Sequence, residues 1–327
     1  MLNLKRFYQS GAGAVVLWVA SSLVVAAVLA PHLYQLGMDL AAAAATRELP
    51  AALEWLGRKC ARADFDRYFN RSLIISAVGL LPLLLRRMRG LKSAEGEAGK
   101  ACASGSWQSA ATQILVGCVI AGAMLWLMGM LLVEFGAYAP RSNPVRPDRL
   151  LVKAFVPAAV VALLEEWLFR GIVLTIWLRF ARPFAACLGT SLLFAIVHFL
   201  KLPDNAVISN PTSPLAGFEL LGKVLLHFTN PQFFVTDFAT LFFIGMILAW
   251  ARIRTEALWF SIGLHAGWIM ALKSFNMVFK GISGSALHPW GVGDSLRSGV
   301  FPLVTLGLTA VLCHVALRWF EPRRIRV

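Results

Sequence analysis

Hydrophobic residues in this chain are grouped into long stretches that carry few or no charges. A helix needs about 20 predominantly apolar residues to cross a bilayer, and eight stretches approach or exceed this length. They lie at residues 12–30, 72–85, 110–137, 154–178, 183–200, 235–250, 257–272 and 300–317. We therefore predict an all-α polytopic membrane protein with about eight transmembrane helices.

Basic residues fall in short clusters beside these stretches, as in "RRMRGLK" at 86–92, "RFAR" at 179–182 and "RIRTE" at 252–256. Cytoplasmic loops of membrane proteins carry an excess of Lys and Arg. With eight alternating spans, the dense clusters and the tail "RWFEPRRIRV" fall on one side together with the N-terminus. This pattern predicts that both termini are cytoplasmic and that segment 31–71, which carries both signs, forms one or two surface helices on the other side.

The composition supports membrane insertion over other classes of protein. Of the 327 residues, 58% are hydrophobic and 15% are charged, whereas soluble domains are about 45–50% apolar and about 25% charged. The net charge of +14 is spread over the short clusters, so it indicates membrane topology and not nucleic-acid binding. The five cysteines show no CxxC spacing, so neither a disulfide framework nor a thiolate metal site is expected.

Three charged residues interrupt the fourth stretch, in "LLEEWLFRGI" at 163–172. A charge at the centre of a bilayer costs at least about 2.5–3.5 kcal/mol on insertion scales, so such residues indicate function and need a partner. Glu166 and Arg170 are four residues apart and share a helix face, whereas Glu165 points about 100° away from Glu166. The spacing predicts that Arg170 neutralises Glu166 and leaves Glu165 as the less compensated carboxylate.

Two histidines lie in other hydrophobic stretches. His198 ends the fifth, and His265 lies within the seventh among Gly263, Ala266 and Gly267, small residues that let another helix approach closely. Two glutamates and two histidines could perform acid/base chemistry on water or hold one divalent metal. The alternatives without a catalytic role are a structural ion pair of Glu166 with Arg170, a headgroup contact for His198 and an interhelical hydrogen bond for His265.

The motifs "EEWLFRG", "FAIVH" and "HAGW" occur in this order on three separate stretches. Together they resemble the CAAX-protease and bacteriocin-processing (CPBP) family of intramembrane proteases, which includes the Ras-converting endopeptidase. The resemblance covers about residues 150–275. It implies a buried active-site cavity in a protease core, with residues 1–149 as N-terminal helices and 276–327 as an outer loop, last span and basic tail.

The resemblance also implies a role for each motif residue. Glu165 and His198 would activate a water, Glu166 and Arg170 would support the first glutamate, and His265 would help to stabilise the oxyanion. No cofactor is required in this interpretation; the alternative is a zinc site formed by Glu165, His198 and His265. One departure stands out: four residues after His265, Ile269 occupies the position where the family usually has Asn or Asp.

Three functions follow as hypotheses. The first is an intramembrane endopeptidase of a bacterial inner membrane, which cleaves a membrane-associated peptide or protein and has no nucleic-acid partner. The second is a noncatalytic member of the family that serves binding, immunity or scaffolding, and Ile269 is the residue that favours it. The third is a proton-coupled transporter, since Glu and His within spans also form proton relays.

Overall fold

Helices account for nearly all regular structure in the residues that the computed structural model describes, which are 11–90, 107–142, 151–200, 206–282, 284–293, 295–318 and 320. The α-helices are α1 (Gly11–Thr46), α2 (Ala51–Ala61), α3 (Phe65–Gly90), α4 (Trp107–Glu134), α5 (Val156–Glu166), α6 (Leu174–Leu178), α7 (Pro183–His198), α8 (Ala216–His227), α9 (Pro231–Phe233), α10 (Ala239–Thr255), α11 (Trp259–Val278) and α12 (Val300–Leu317). Wider π-helical turns cover Leu151–Phe155, Trp167–Val173 and Phe234–Phe238. Two short strands, β1 (Tyr138–Pro140) and β2 (Phe279–Gly281), pair antiparallel.

Five helical segments in the described part of the chain are long and apolar enough to cross a membrane. They are Gly13–Thr46, Phe65–Arg87, Gln108–Glu134, Thr236–Thr255 and Val300–Leu317. The prediction of an all-α polytopic membrane protein is confirmed. The other three predicted stretches are also helical, but the fourth is divided by π-helical turns and α7 is a shorter apolar helix, so the number eight stays a prediction.

The first helix is much longer than predicted. We expected it to end near residue 30, but α1 continues through Pro31 to Thr46. The prediction of surface helices was therefore wrong for residues 31–46; α2 is a separate helix of 11 residues, and its place at the membrane surface stays a prediction. The continuation is stabilised by packing, since α1 lies along both α2 and α3, and a sequence pattern does not contain this tertiary contact.

The chain forms two compact units. The first contains the described residues of 1–93 and 198–230 and is built on α1. Its core includes Ala26, Ala27 and Ala30, which are fully buried. Helix α8 approaches α1 so closely that a Cβ on Gly217 would overlap the backbone of Ala27.

The second unit contains the described residues of 94–197 and 231–327, and its most extensive contact is between α4 and α11. Gly263 and Gly267 of α11 make this contact possible. A Cβ on Gly263 would overlap the carbonyl oxygen of Ile114, and one on Gly267 would lie 2.5 Å from the carbonyl oxygen of Cys118. The expected close approach at these small residues is thus present, and α4 is the helix that approaches. The opposite face of α11 contacts α5, and this contact builds the site.

Candidate active site

The two adjacent glutamates lie where the helix of the fourth stretch changes its winding. Helix α5 ends at Glu166, and a π-helical turn covers Trp167–Val173 before α6 begins. Glu166 itself has helical backbone angles, with φ −65° and ψ −38°. Short π-helical segments within α-helices are frequent at functional sites. Across this wider turn, the side chains of Glu166 and Arg170 still lie on the same face of the helix.

Glu166 and Arg170 form the ion pair that the spacing predicts. Arg170 Nη1 donates to Glu166 Oε1 at 2.8 Å, and both side chains are 0% exposed. Arg170 Nη2 also donates to the carbonyl oxygen of Gly245 on α10 at 3.2 Å. The guanidinium lies 4.5 Å from the ring centroid of Phe194 on α7, within the range of a cation–π contact. The buried guanidinium is therefore held by a carboxylate, a backbone carbonyl and an aromatic face.

His265 completes a buried chain of charged and polar groups. Its Nδ1 lies 2.9 Å from the same Glu166 Oε1 that accepts from Arg170. An ionised carboxylate only accepts hydrogen bonds, so Nδ1 carries the proton and donates. The family resemblance implies a position for His265 near the oxyanion, and no sequence motif predicts its contact with Glu166. Its flanking glycines indicated a close helix, but they did not indicate which helix faced the imidazole.

Glu165 differs from Glu166 in both exposure and contacts. Its side chain is 27% exposed, and its Oε2 lies 3.8 Å from His265 Nε2, too long for a hydrogen bond. Of the two glutamates, Glu165 is thus the more accessible, whereas the spacing predicts only that it points away from Arg170. Glu165, Glu166, Arg170 and His265 lie together in the second unit, with one imidazole between the two carboxylates.

The two remaining motif positions lie on α7 and α11. His198 is the last residue of α7 and the first residue of 198–230, which belongs to the first unit. Ile269 lies on α11 one turn beyond His265 and is partly buried. Its side chain has no hydrogen-bonding atom, so the position where the family usually has Asn or Asp cannot donate.

A hydroxyl that the sequence motifs did not predict lies on the His265 side of α11. Ser261 is four residues before His265, so the two share a helix face, and its side chain is 0% exposed. Within the described part of the chain its Oγ has no hydrogen-bond partner, and neither do Glu166 Oε2 and Arg170 Nε. The polar cluster therefore has unused hydrogen-bonding capacity. A serine one turn before a motif histidine was the only sequence signal for it.

The alternative to a cofactor-free site is a zinc ion held by Glu165, His198 and His265. Among the described residues, no group of three or more His, Cys, Asp or Glu side chains is arranged to hold a metal ion.

Comparison with known proteins gives one match. Residues 147–271 match the model of the family described as "Type II CAAX prenyl endopeptidase Rce1-like". No curated protein and no solved structure matches the chain. The matched segment contains α5, α7, α10 and most of α11, and with them all three sequence motifs. Residues 147–271 are thus an Rce1-like domain of the CAAX-protease family, carried by an integral membrane protein.

Proposed function

We propose that this protein is an intramembrane endopeptidase in which Glu165 activates the attacking water. The observation that carries the proposal is the difference between two adjacent carboxylates. Glu166 is fully buried and held by Arg170 and His265, whereas Glu165 is 27% exposed. A general base must reach water and substrate. Glu165 fits this requirement, and Glu166 fits that of a positioning residue.

The proposed reaction proceeds in two proton transfers. Glu165 takes a proton from water while the water oxygen bonds to the carbonyl carbon of the scissile peptide, which becomes a tetrahedral oxyanion. The carbon–nitrogen bond then breaks as protonated Glu165 returns its proton to the leaving amine. The immediate products are a carboxylic acid and an amine, which become a carboxylate and an ammonium ion when the acid passes its proton to the amine, and Glu165 is regenerated as a carboxylate.

His265 has a positioning role in this proposal and an electrostatic one. Glu166 accepts from Nδ1 at 2.9 Å, which orients the ring and turns Nε2 toward Glu165 at 3.8 Å. Because Nδ1 donates to Glu166, Nε2 carries a proton only in the imidazolium form, and in that form it is a donor for the oxyanion. A preformed donor of this kind contributes on the order of 10²–10³ to the rate in other hydrolases. Arg170 acts indirectly, because it holds Glu166, which in turn orients His265.

The role of His198 rests on the sequence motif alone. By the resemblance, it shares the activation of water with Glu165, and we retain this assignment as part of the proposal. If a metal were bound instead, Glu165, His198 and His265 would be its ligands. Zinc analysis of the purified protein, with activity measured before and after chelation, separates the two mechanisms: chelator-resistant activity supports the glutamic one.

The test is cleavage by the purified protein in proteoliposomes. The family description selects a prenylated CAAX peptide as the first substrate, and a fluorescence-quenched peptide library is the second. Glu165→Gln is expected to lower the cleavage rate by about 10²–10⁴, the range for loss of a general base. Glu134→Gln, at the exposed end of α4, is the control and should retain full activity. Full activity of Glu165→Gln would refute the mechanism.

Ile269 favours a second candidate, a noncatalytic protein that uses the same fold for binding. The motif position after His265 carries an aliphatic side chain and supplies no donor. Absence of cleavage by the wild type on every peptide in the library would favour this candidate. Ile269→Asn separates the two further, because restoring the donor is expected to raise the activity of an enzyme and to create none in a binding protein.

We also propose that both termini are cytoplasmic, in a bacterial inner membrane. Basic residues close several apolar helices in the manner of cytoplasmic loops, among them Arg86 and Arg87 of α3 and Arg252 and Arg254 of α10. Alkaline phosphatase fused after Val327 should be inactive and green fluorescent protein fused there should fluoresce. The reverse pattern would contradict this orientation.

A further inference from the structure

A cavity of about 450 Å³ lies among α1, α2 and α3 of the first unit. Its volume is within the range of about 300–1,000 Å³ that is usual for small-molecule sites. The walls are mainly aliphatic, with Leu36 of α1, Leu56 of α2 and Ile74 and Ile75 of α3. Leu36 is 65% exposed and Ile74 is 64% exposed, so the apolar walls continue outward to the surface of the unit. An elongated apolar group could thus enter from the side.

The inner wall of this cavity is held in place by Tyr68. Its hydroxyl donates to the carbonyl oxygen of Cys60 at 3.1 Å, and its ring meets that of Tyr34 edge-on with centroids 5.2 Å apart. Gly37 lets α1 approach the tyrosine, because a Cβ there would overlap the phenol. These contacts rigidify three helices around the cavity, so the space is preformed.

One positive charge lies at the mouth of the cavity. Arg71 is its single charged lining residue among those described. The guanidinium lies 5.4 Å from the ring centroid of Tyr68, is exposed, and forms no ion pair with a described carboxylate. From Glu54 to Arg71 the chain carries five basic and three acidic side chains. The mouth is therefore suited to an anion, and the interior to hydrocarbon.

Two independent features place this mouth at the level of lipid headgroups. Arg71 is followed by 72–85, a run without charges in the candidate span Phe65–Arg87. Helix α2 exposes Trp55, at 56%, and Leu53 beside basic residues, and Lys59 lies 5.7 Å from the Trp55 ring centroid. Exposed Trp and Leu next to Lys and Arg are typical of a helix that lies in the membrane interface.

We propose that this cavity binds one anionic phospholipid, with the phosphate on Arg71 and one acyl chain along Leu36 and Ile74. The positive charge at the mouth matches the phosphate, and the apolar walls match an acyl chain. The interfacial depth of the mouth matches the level of the lipid headgroups. The site lies within the first unit and uses none of the proposed catalytic residues. It therefore goes beyond the proposed function and does not depend on it.

The experiment is native mass spectrometry of the full-length protein released from detergent in the presence of phosphatidylglycerol or phosphatidylcholine. The wild type should retain phosphatidylglycerol preferentially. Arg71→Ala should weaken its binding about fivefold, the effect expected of one basic side chain near an anionic lipid surface. Arg71→Lys keeps the charge and should retain most of the preference. Arg67→Ala, one turn earlier on α3 and not part of the cavity, is the matched control and should bind like the wild type.

Three results would count against the proposal. One is equal binding of the two lipids by the wild type, which requires no variant and so does not depend on the folding of any. Another is competition by glycerol phosphate, which has the charge of the headgroup and no acyl chain. If it displaces phosphatidylglycerol at equal concentration, the cavity is a simple phosphate site and the acyl part of the proposal fails. Unchanged binding by Arg71→Ala would likewise remove the assigned phosphate contact.

Discussion

Replacement of Arg170 by Met tests whether the buried ion pair is required for the stability of the site. Arg170 and Glu166 are both 0% exposed and their charged atoms lie 2.8 Å apart. Methionine fills part of the volume but leaves the carboxylate buried, with His265 as its remaining partner. Breaking a buried pair by removing one partner typically costs about 3–5 kcal/mol. We expect Arg170→Met to lower the free energy of unfolding by about 4 kcal/mol, near the middle of that range.

The chain contains a matched control for this experiment. Arg58 and Glu54 have the same spacing of four residues on a helix, but their charged atoms are 3.4 Å apart and their side chains are 62% and 37% exposed. Exposed pairs of this kind contribute about 0.3–0.5 kcal/mol. Arg58→Met should therefore change the free energy of unfolding by no more than about 0.5 kcal/mol, and the contrast between the variants isolates the effect of burial.

The assay is unfolding of the purified variants in detergent micelles by a denaturant, followed by circular dichroism. A double variant, Arg170→Met with Glu166→Gln, removes both charges, and the amide oxygen can still accept from His265. It should be less destabilised than the sum of the single variants, because the uncompensated buried charge is gone. The reasoning is refuted if Arg170→Met costs no more than Arg58→Met, or if the two single effects add.

Three further predictions concern other parts of the chain. Gly263→Ala places a methyl group against the backbone of α4 and should destabilise by about 1–3 kcal/mol, whereas Gly307→Ala, with nothing within 4 Å, should be neutral or stabilising in the same unfolding assay. Ser261→Ala removes a buried hydroxyl that has no described partner, so stability should not fall; a loss above about 1 kcal/mol would indicate a bonded hydroxyl. Glu219 on α8 accepts hydrogen bonds from Lys223 and from the backbone amide and hydroxyl of Ser209, and these bonds hold the pKa of Glu219 below its usual range. The stabilisation is present above the unfolded-state pKa of about 4.3 and is lost as the pH falls through the lower folded-state value. The protection factors of the α8 amides, in which the exchange rate is compared with the intrinsic rate at the same pH, should therefore fall at acidic pH, and Glu219→Gln should remove that dependence on pH.

The pair formed by Glu166 and Arg170 could be predicted because its geometry is local. Four residues along a helix bring two side chains to one face whatever the rest of the chain does, and the low charge density of the surrounding stretch indicated burial. The same local rule turned Glu165 away from the pair, in agreement with its greater exposure. For this pair, spacing and hydropathy were sufficient.

The contact of His265 with Glu166 joins residues 99 positions apart, and no local rule reaches that far. Gly263 and Gly267 indicated that some helix approaches α11. Because α4 packs on the glycine face in the folded structure, the imidazole of His265 on the other face contacts α5. The length of α1 beyond Pro31 was decided in the same way, by contacts with α2 and α3. The sequence by itself determined the all-α membrane class and the order of the motifs, because the length of apolar stretches and the helical spacing of residues are properties of single segments. Tertiary structure alone decided which carboxylate His265 holds, because that depends on which helix faces meet.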